Sequence, residues 1–178
     1  EGWLAGTVHR AAWESKVRAP LDQDTWELVG IKHAAYTGKG AGAYDASRNL
    51  YVRSIGGDRA KGFLAWDLNR AGPANTSIRV SAAELSSEFP IDELPSCGMD
   101  YDAVRRAFAI WCTGRVVWYL TPPDTFGTLG WSLVRAPVQD PAAMSPPTRT
   151  GFAGVLCKWK YARRVDVFLG VFEGDSGD

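Results

Sequence analysis

The residues of this chain that could do chemistry are few, and their spacing limits what they could do. The two histidines, His9 and His33, form no His-x-His pair, and no GxSxG serine accompanies them, so the pattern assembles neither a copper centre nor a nucleophilic triad. Three cysteines without CxxC spacing do not make a structural zinc site. Glu173, Asp175 and Asp178, spaced by glycines, lack the ligand run of a calcium loop. No metal and no cofactor is expected. Two carboxylates do recur: Asp45 and Asp102 each follow a tyrosine and each precede an arginine three positions on, Arg48 and Arg105. Paired carboxylates can act as general acid and base. An aspartate that opens a turn, however, accepts backbone N–H bonds there, and recurrence in successive units is what a structural role predicts, so Asp45, Arg48, Asp102 and Arg105 are read as turn residues, with Arg163 as a third arginine of the series. Asp58, Arg59 and Arg115, together with Trp111 and Trp159, are the candidates for a ligand surface, since indole faces stack on sugars or partner side chains while charged groups fix orientation. The same tryptophans could instead pack a core.

The elements that must hold these residues are strands. In 97–102, Cys97, Met99 and Tyr101 alternate with Gly98 and Asp100, and in 107–112 Phe108, Ile110 and Cys112 alternate with Ala107, Ala109 and Trp111. This period of two marks two strands with distinct faces. A four-residue connection, 103–106, sets Asp102 opposite Ala107 and places Cys97 opposite Cys112, close enough for a disulfide; two buried thiols are the alternative. A third run, 116–120, is stopped by Pro122 and Pro123, which have no N–H for a ladder. The unit is an antiparallel meander.

The unit repeats. Tyr44-Asp45-Ala46-Ser47-Arg48 matches Tyr101-Asp102-Ala103-Val104-Arg105 at a separation of 57 residues, and Trp66-Asp67-Leu68-Asn69 is matched to Trp118-Tyr119-Leu120-Thr121. A weaker third copy begins near Gly154, with Arg163 placed 58 residues after Arg105; no Tyr-Asp pair precedes it, and Asp166 interrupts its apolar face. Residues 25–29, around Trp26, resemble 130–134, around Trp131, as the outermost strand of a unit. Residues 81–87 are expected to form a loop with at most one helical turn, closed by Pro90.

Composition narrows the class. Lysine plus arginine and aspartate plus glutamate both number 20, without a basic run interleaved with aromatics, which argues against a nucleic-acid partner. Eight tryptophans, 19 glycines and 10 prolines punctuate short β-prone runs, as turn-rich β proteins require. No stretch of eighteen apolar residues is present to span a membrane as a helix. Glu1 in place of Met leaves room for a removed leader, so a secreted or surface location is favoured without being fixed.

The Tyr-Asp strand end, the Arg-bearing turn, the second strand closing in Gly56-Gly57 and the third strand with Trp66 or Trp118 together resemble the blade of a kelch-type β-propeller, of the galactose-oxidase-like kind. The resemblance implies four-stranded blades whose first strands, 40–44, 98–102 and 154–158, line a central channel. The copper site of that family does not carry over, because no histidine stands on an inner strand. The expected architecture is therefore all-β: repeated four-stranded antiparallel blades forming a partial β-propeller over 1–178, with outer strands in 1–30, blades at 40–80 and 96–134, and the first strands of a further blade in 150–178. The expected function is non-catalytic binding, with loops presented to a protein or glycan partner. The rival is a segment of a secreted oxidase or hydrolase whose catalytic residues lie elsewhere. Strands in 3–8 and at Trp26 would pair beyond 165–172, within a longer propeller or between the two copies of a homodimer.

Overall fold

The computed structural model describes residues 11–16, 25–31, 40–55, 61–70, 75–112, 116–136, 155 and 159–170. Its strands are β1 (Ala11–Lys16), β2 (Thr25–Ile31), β3 (Gly42–Asp45), β4 (Leu50–Ile55), β5 (Gly62–Asp67), β6 (Ile78–Val80), β7 (Gly98–Asp102), β8 (Ala107–Trp111), β9 (Val117–Thr121), β10 (Ser132–Arg135), β11 (Trp159–Ala162) and β12 (Val167–Gly170). A single helical turn, α1 (Ala82–Leu85), follows β6, and a 3-10 turn at Leu94–Ser96 precedes β7. The described chain is thus mostly β.

Strands of alternating character pair with their sequence neighbours. β3-β4-β5-β6 and β7-β8-β9-β10 are four-stranded antiparallel meanders, while β1-β2 and β11-β12 each form a two-stranded sheet. The register of the second meander sets Asp102 opposite Ala107, Tyr101 opposite Phe108 and Met99 opposite Ile110. One step beyond that ladder Cys97 and Cys112 are joined by a disulfide, with α-carbons 4.0 Å apart. β9 ends at Thr121, immediately before Pro122, where the next two residues can no longer donate to a ladder.

The sheets stack face on face. Ala43, Leu50, Val52, Phe63 and Ala65, on one side of the first sheet, share a core with Met99, Phe108, Ile110, Trp118 and Leu120 of the second. Phe89, from the connector, seals this core with its ring 5.3 Å from that of Trp118. The other side of the second sheet meets the third hairpin: Trp111 packs with Trp159 and Val155. β8 is therefore buried along its whole length, and ahead of Trp111 its residues on this side are small, Ala107 and Ala109. That allows Trp159 Nε1 to donate to the carbonyl of Ala109 at 3.2 Å. Gly170 completes the fit, since a β-carbon there would come within 2.8 Å of the Trp111 ring. In consequence β3 lies against β7, and β7 against β11.

Two expectations change. The third unit's first described strand is Trp159–Ala162, so Tyr161-Ala162 stands where the Tyr-Asp pair stands elsewhere, 60 residues after Tyr101-Asp102; 154 and 156–158 of the expected strand lie outside the described residues. Arg163 accordingly opens the turn, and Val165 occupies the place of Arg48 and Arg105. Asp166 does not interrupt a strand. It ends the turn in the left-handed region at φ 50°, as Asn49 and Arg106 do at 54°. Second, Trp66 and Trp118 are not equivalent. Trp66 faces Tyr51, whereas Trp118 faces Ile110, two residues further along the same face, so Leu64 is the counterpart of Trp118. The variable loop before the third strand hides this shift from sequence comparison. Within the single chain β2 pairs with β1, and among the described residues β12 pairs with β11 alone. The segment 3–8 lies outside the described residues.

Candidate functional site

The residues with usable chemistry gather where the first two strands of each unit turn. Asp45 is fully buried, and its carboxylate accepts from the Ser47 amide at 2.8 Å, the Ser47 hydroxyl at 2.6 Å and Arg48 Nη1 at 2.7 Å. Asp102, equally buried, accepts from the amides of Val104 and Arg105, both at 2.9 Å, and from Arg105 Nη1 at 2.8 Å. Each carboxylate thus spends most of its lone pairs on its own turn. Burial pushes the Asp45 carboxyl up, but the bonds from Ser47, Arg48 and Tyr101 outweigh it and hold the group below its ordinary value.

Each arginine then reaches the next unit. Arg48 Nη1 lies 3.4 Å from the carbonyl of Arg106, and Arg105 Nη1 lies 3.3 Å from Asp166 Oδ1. The receiving residue is each time the left-handed one that closes the following turn. In the outer units its side chain is fixed by the repeat tyrosine: Tyr44 donates to Asn49 and Tyr161 to Asp166, both at 2.7 Å. The turns are thereby linked in series, and Val165 leaves the third turn without the arginine that would continue it.

Between the first turn and the β9–β10 connection lies a cleft of about 510 Å³. Arg48, Asn69, Arg106, Asp124, Phe126 and Trp131 are among its lining residues. Asn69 is held by donation from Asn49 Nδ2 at 3.1 Å and by its own bond to the Arg48 carbonyl at 3.2 Å. Two N–H groups of the lining residues, Arg48 Nε and Trp131 Nε1, are buried with no acceptor. Buried donors without partners are rare in folded proteins. Asp124, whose side chain is 93 % exposed, approaches Arg48 Nη2 only to 3.8 Å, beyond hydrogen-bonding distance.

The candidates expected from sequence are distributed differently. Asp58, Arg59 and Arg115 lie outside the described residues, as do His9, His33, Cys157 and the acidic residues of 173–178. Trp111 and Trp159 do come together, with ring centroids 5.2 Å apart, but they do not form an open stacking surface: they are only 6 % and 8 % exposed, and Trp159 is stacked on Phe168. Their role is packing between the second sheet and the third hairpin. Sequence reasoning missed Asp124, Phe126 and Trp131 as cleft residues, because the β9–β10 connection registered only as a strand stop. Its concentration of Pro, Asp, Thr, Phe and Trp within 122–131 was the available signal. Among the described residues, no group of three or more His, Cys, Asp or Glu side chains is arranged to hold a metal ion. Comparison of the chain with protein-family models, curated proteins and solved structures finds no match.

Proposed function

We propose that this chain is a partial kelch-like β-propeller that binds a protein or glycan without transforming it, presenting its turns and inter-strand connections to the partner. The reading rests on one observation above others, the cleft at the turn ends, which combines aromatic and polar side chains with two buried donors awaiting acceptors. The propeller assignment draws support from two successive meanders, from the face-on-face order of the sheets and from the adjacency of the first strands β3, β7 and β11. The carboxylates that could have served catalysis, Asp45 and Asp102, are occupied by their own turns. The disulfide between Cys97 and Cys112 fits a secreted or surface location. A place within a longer ring, or beside a second copy, accommodates the apolar side chains that β12 leaves exposed, Val167 and Leu169. A glycan array read alongside product analysis of each bound glycan tests the reading. Retention without turnover is expected, whereas release of an oxidised or hydrolysed product from any bound glycan would overturn the non-catalytic assignment.

A further inference from the structure

We infer that the cleft between the first turn and the β9–β10 connection is a binding site for an uncharged saccharide of one or two rings. The inference rests on the binding role proposed above and specifies its ligand. Three observations converge. Arg48 and Trp131 line the same cleft, and each carries a buried donor without an acceptor, Nε and Nε1, which the oxygens of a bound molecule would satisfy. The cleft also holds acceptors that need donors: the Asp124 carboxylate is almost wholly exposed, and its contact with Arg48 Nη2, at 3.8 Å, is not a hydrogen bond. Hydroxyl groups both donate and accept, and a ring bearing several of them meets both needs together. Phe126, Trp131 and the paired prolines Pro122 and Pro123 supply apolar wall for the C–H face of a sugar ring.

Charge selects against the other ligand classes. Arg48 and Arg106 in the lining face Asp67 and Asp124, and the partners just behind them also balance, Asp45 against Arg48 and Arg70 against Asp67. An anion would find no surplus of positive charge. The inner end of Arg48 is already committed, its Nη1 to Asp45 and to the Arg106 carbonyl, so its remaining N–H groups act as hydrogen-bond donors of fixed orientation. The volume of about 510 Å³ falls in the range of small-ligand sites. A ligand oxygen reaches the two hidden N–H groups only when the side chains that cover them shift.

The test is calorimetric titration of the whole chain with neutral mono- and disaccharides: glucose, galactose, mannose, N-acetylglucosamine and their β-linked dimers. Glucuronate and galacturonate serve as charged counterparts. At least one neutral sugar should bind, with an affinity that changes less than about twofold between 50 and 500 mM salt, as expected where no net charge is neutralised. Trp131→Phe keeps an aromatic ring but removes the indole N–H, and Asp124→Asn removes the charge of an exposed side chain. Each should weaken binding by roughly 5- to 10-fold, the scale of one hydrogen bond; Asp124→Asn leaves the thermal midpoint unchanged, whereas Trp131→Phe, whose ring packs against the core, is titrated well below its own midpoint. Binding confined to the uronates and lost with salt overturns the inference, as does neutral-sugar binding indifferent to both substitutions. Capture of a defined protein ligand on the array scaffold, with no sugar bound at any concentration up to about 50 mM, overturns the saccharide site and leaves the broader binding role standing. Failure of sugars and proteins alike removes both.

Discussion

Asp45 and Asp102 are chemically the same residue in the same turn, yet the arginines beside them differ in exposure, and that difference decides what each aspartate is worth. The Arg48 side chain is 13 % exposed and that of Arg105 is 45 % exposed. Removing Asp102 strands two turn amides but leaves Arg105 free to turn to water, a loss of about 2 kcal/mol. Removing Asp45 also strands a cation that solvent hardly reaches, and Asp45→Ala is expected to cost about 3 kcal/mol or more. Urea denaturation of the two variants gives the order, and equal costs would mean that Arg48 finds another acceptor. The same residue predicts a dependence on pH. The folded-state value of Asp45 lies below its ordinary one near 3.8, so the stabilisation is complete above that value and is lost as pH falls through the lower, folded-state value. Stability should therefore decline on acidification below about pH 4, and less steeply in Asp45→Ala. A pH profile of the urea midpoint that is parallel in the two proteins would assign the acid sensitivity elsewhere.

At the scale of the element, the four-residue turn is the motif that this chain reuses. Its last residue is left-handed each time, although the sequence offers Asn49, Arg106 and Asp166 there and never glycine. A β-branched or bulky side chain in that region is strained, and asparagine and aspartate tolerate it best. Asn49 and Asp166 also gain a bond from the repeat tyrosine, whereas Arg106 contributes its carbonyl alone to the link from Arg48. Arg106→Gly is accordingly expected to stabilise the chain by about 0.5–1 kcal/mol, with the thermal midpoint raised, while Asp166→Gly lowers it by deleting the acceptor used by both Tyr161 and Arg105. A lower midpoint for Arg106→Gly would show that its side chain does more than line the cleft. The hairpins themselves are legible in the sequence, because alternation of apolar residues fixes faces and a four-residue connection fixes register, which is why the sequence alone sets Cys97 opposite Cys112. The third hairpin was misplaced because Ala162 and Val165 replace the Asp and Arg by which the turn is recognised, and Arg163 offers a misleading substitute two positions early. The cleft was not legible, since Arg48 and Trp131 are distant in sequence and meet only through the stacking of two sheets.

At the scale of the whole molecule, the order of packing leaves one sheet face unlike the others. Leu50 and Val52 of β4 point to the face that the second sheet covers, and Ala107 and Ala109 of β8 to the face that the third hairpin covers. By the pairing of Lys160 with Leu169 and of Ala162 with Val167, the counterpart residues of β12 are Val167 and Leu169, and these are 44 % and 57 % exposed. Equivalent positions in the repeat thus differ in exposure according to whether, among the described residues, a following sheet lies on that face. Leu50→Ala removes a side chain that is 3 % exposed and should cost about 2–5 kcal/mol through lost transfer energy and a residual cavity. Leu169→Ala should change stability by no more than about 0.5 kcal/mol, because the side chain already meets water. Both variants can be measured on the same chain by urea denaturation, with light scattering to record the association state. A loss from Leu169→Ala comparable to that from Leu50→Ala would mean that this face of β12 is covered in solution, and a simultaneous shift from dimer to monomer would identify a second copy as the cover.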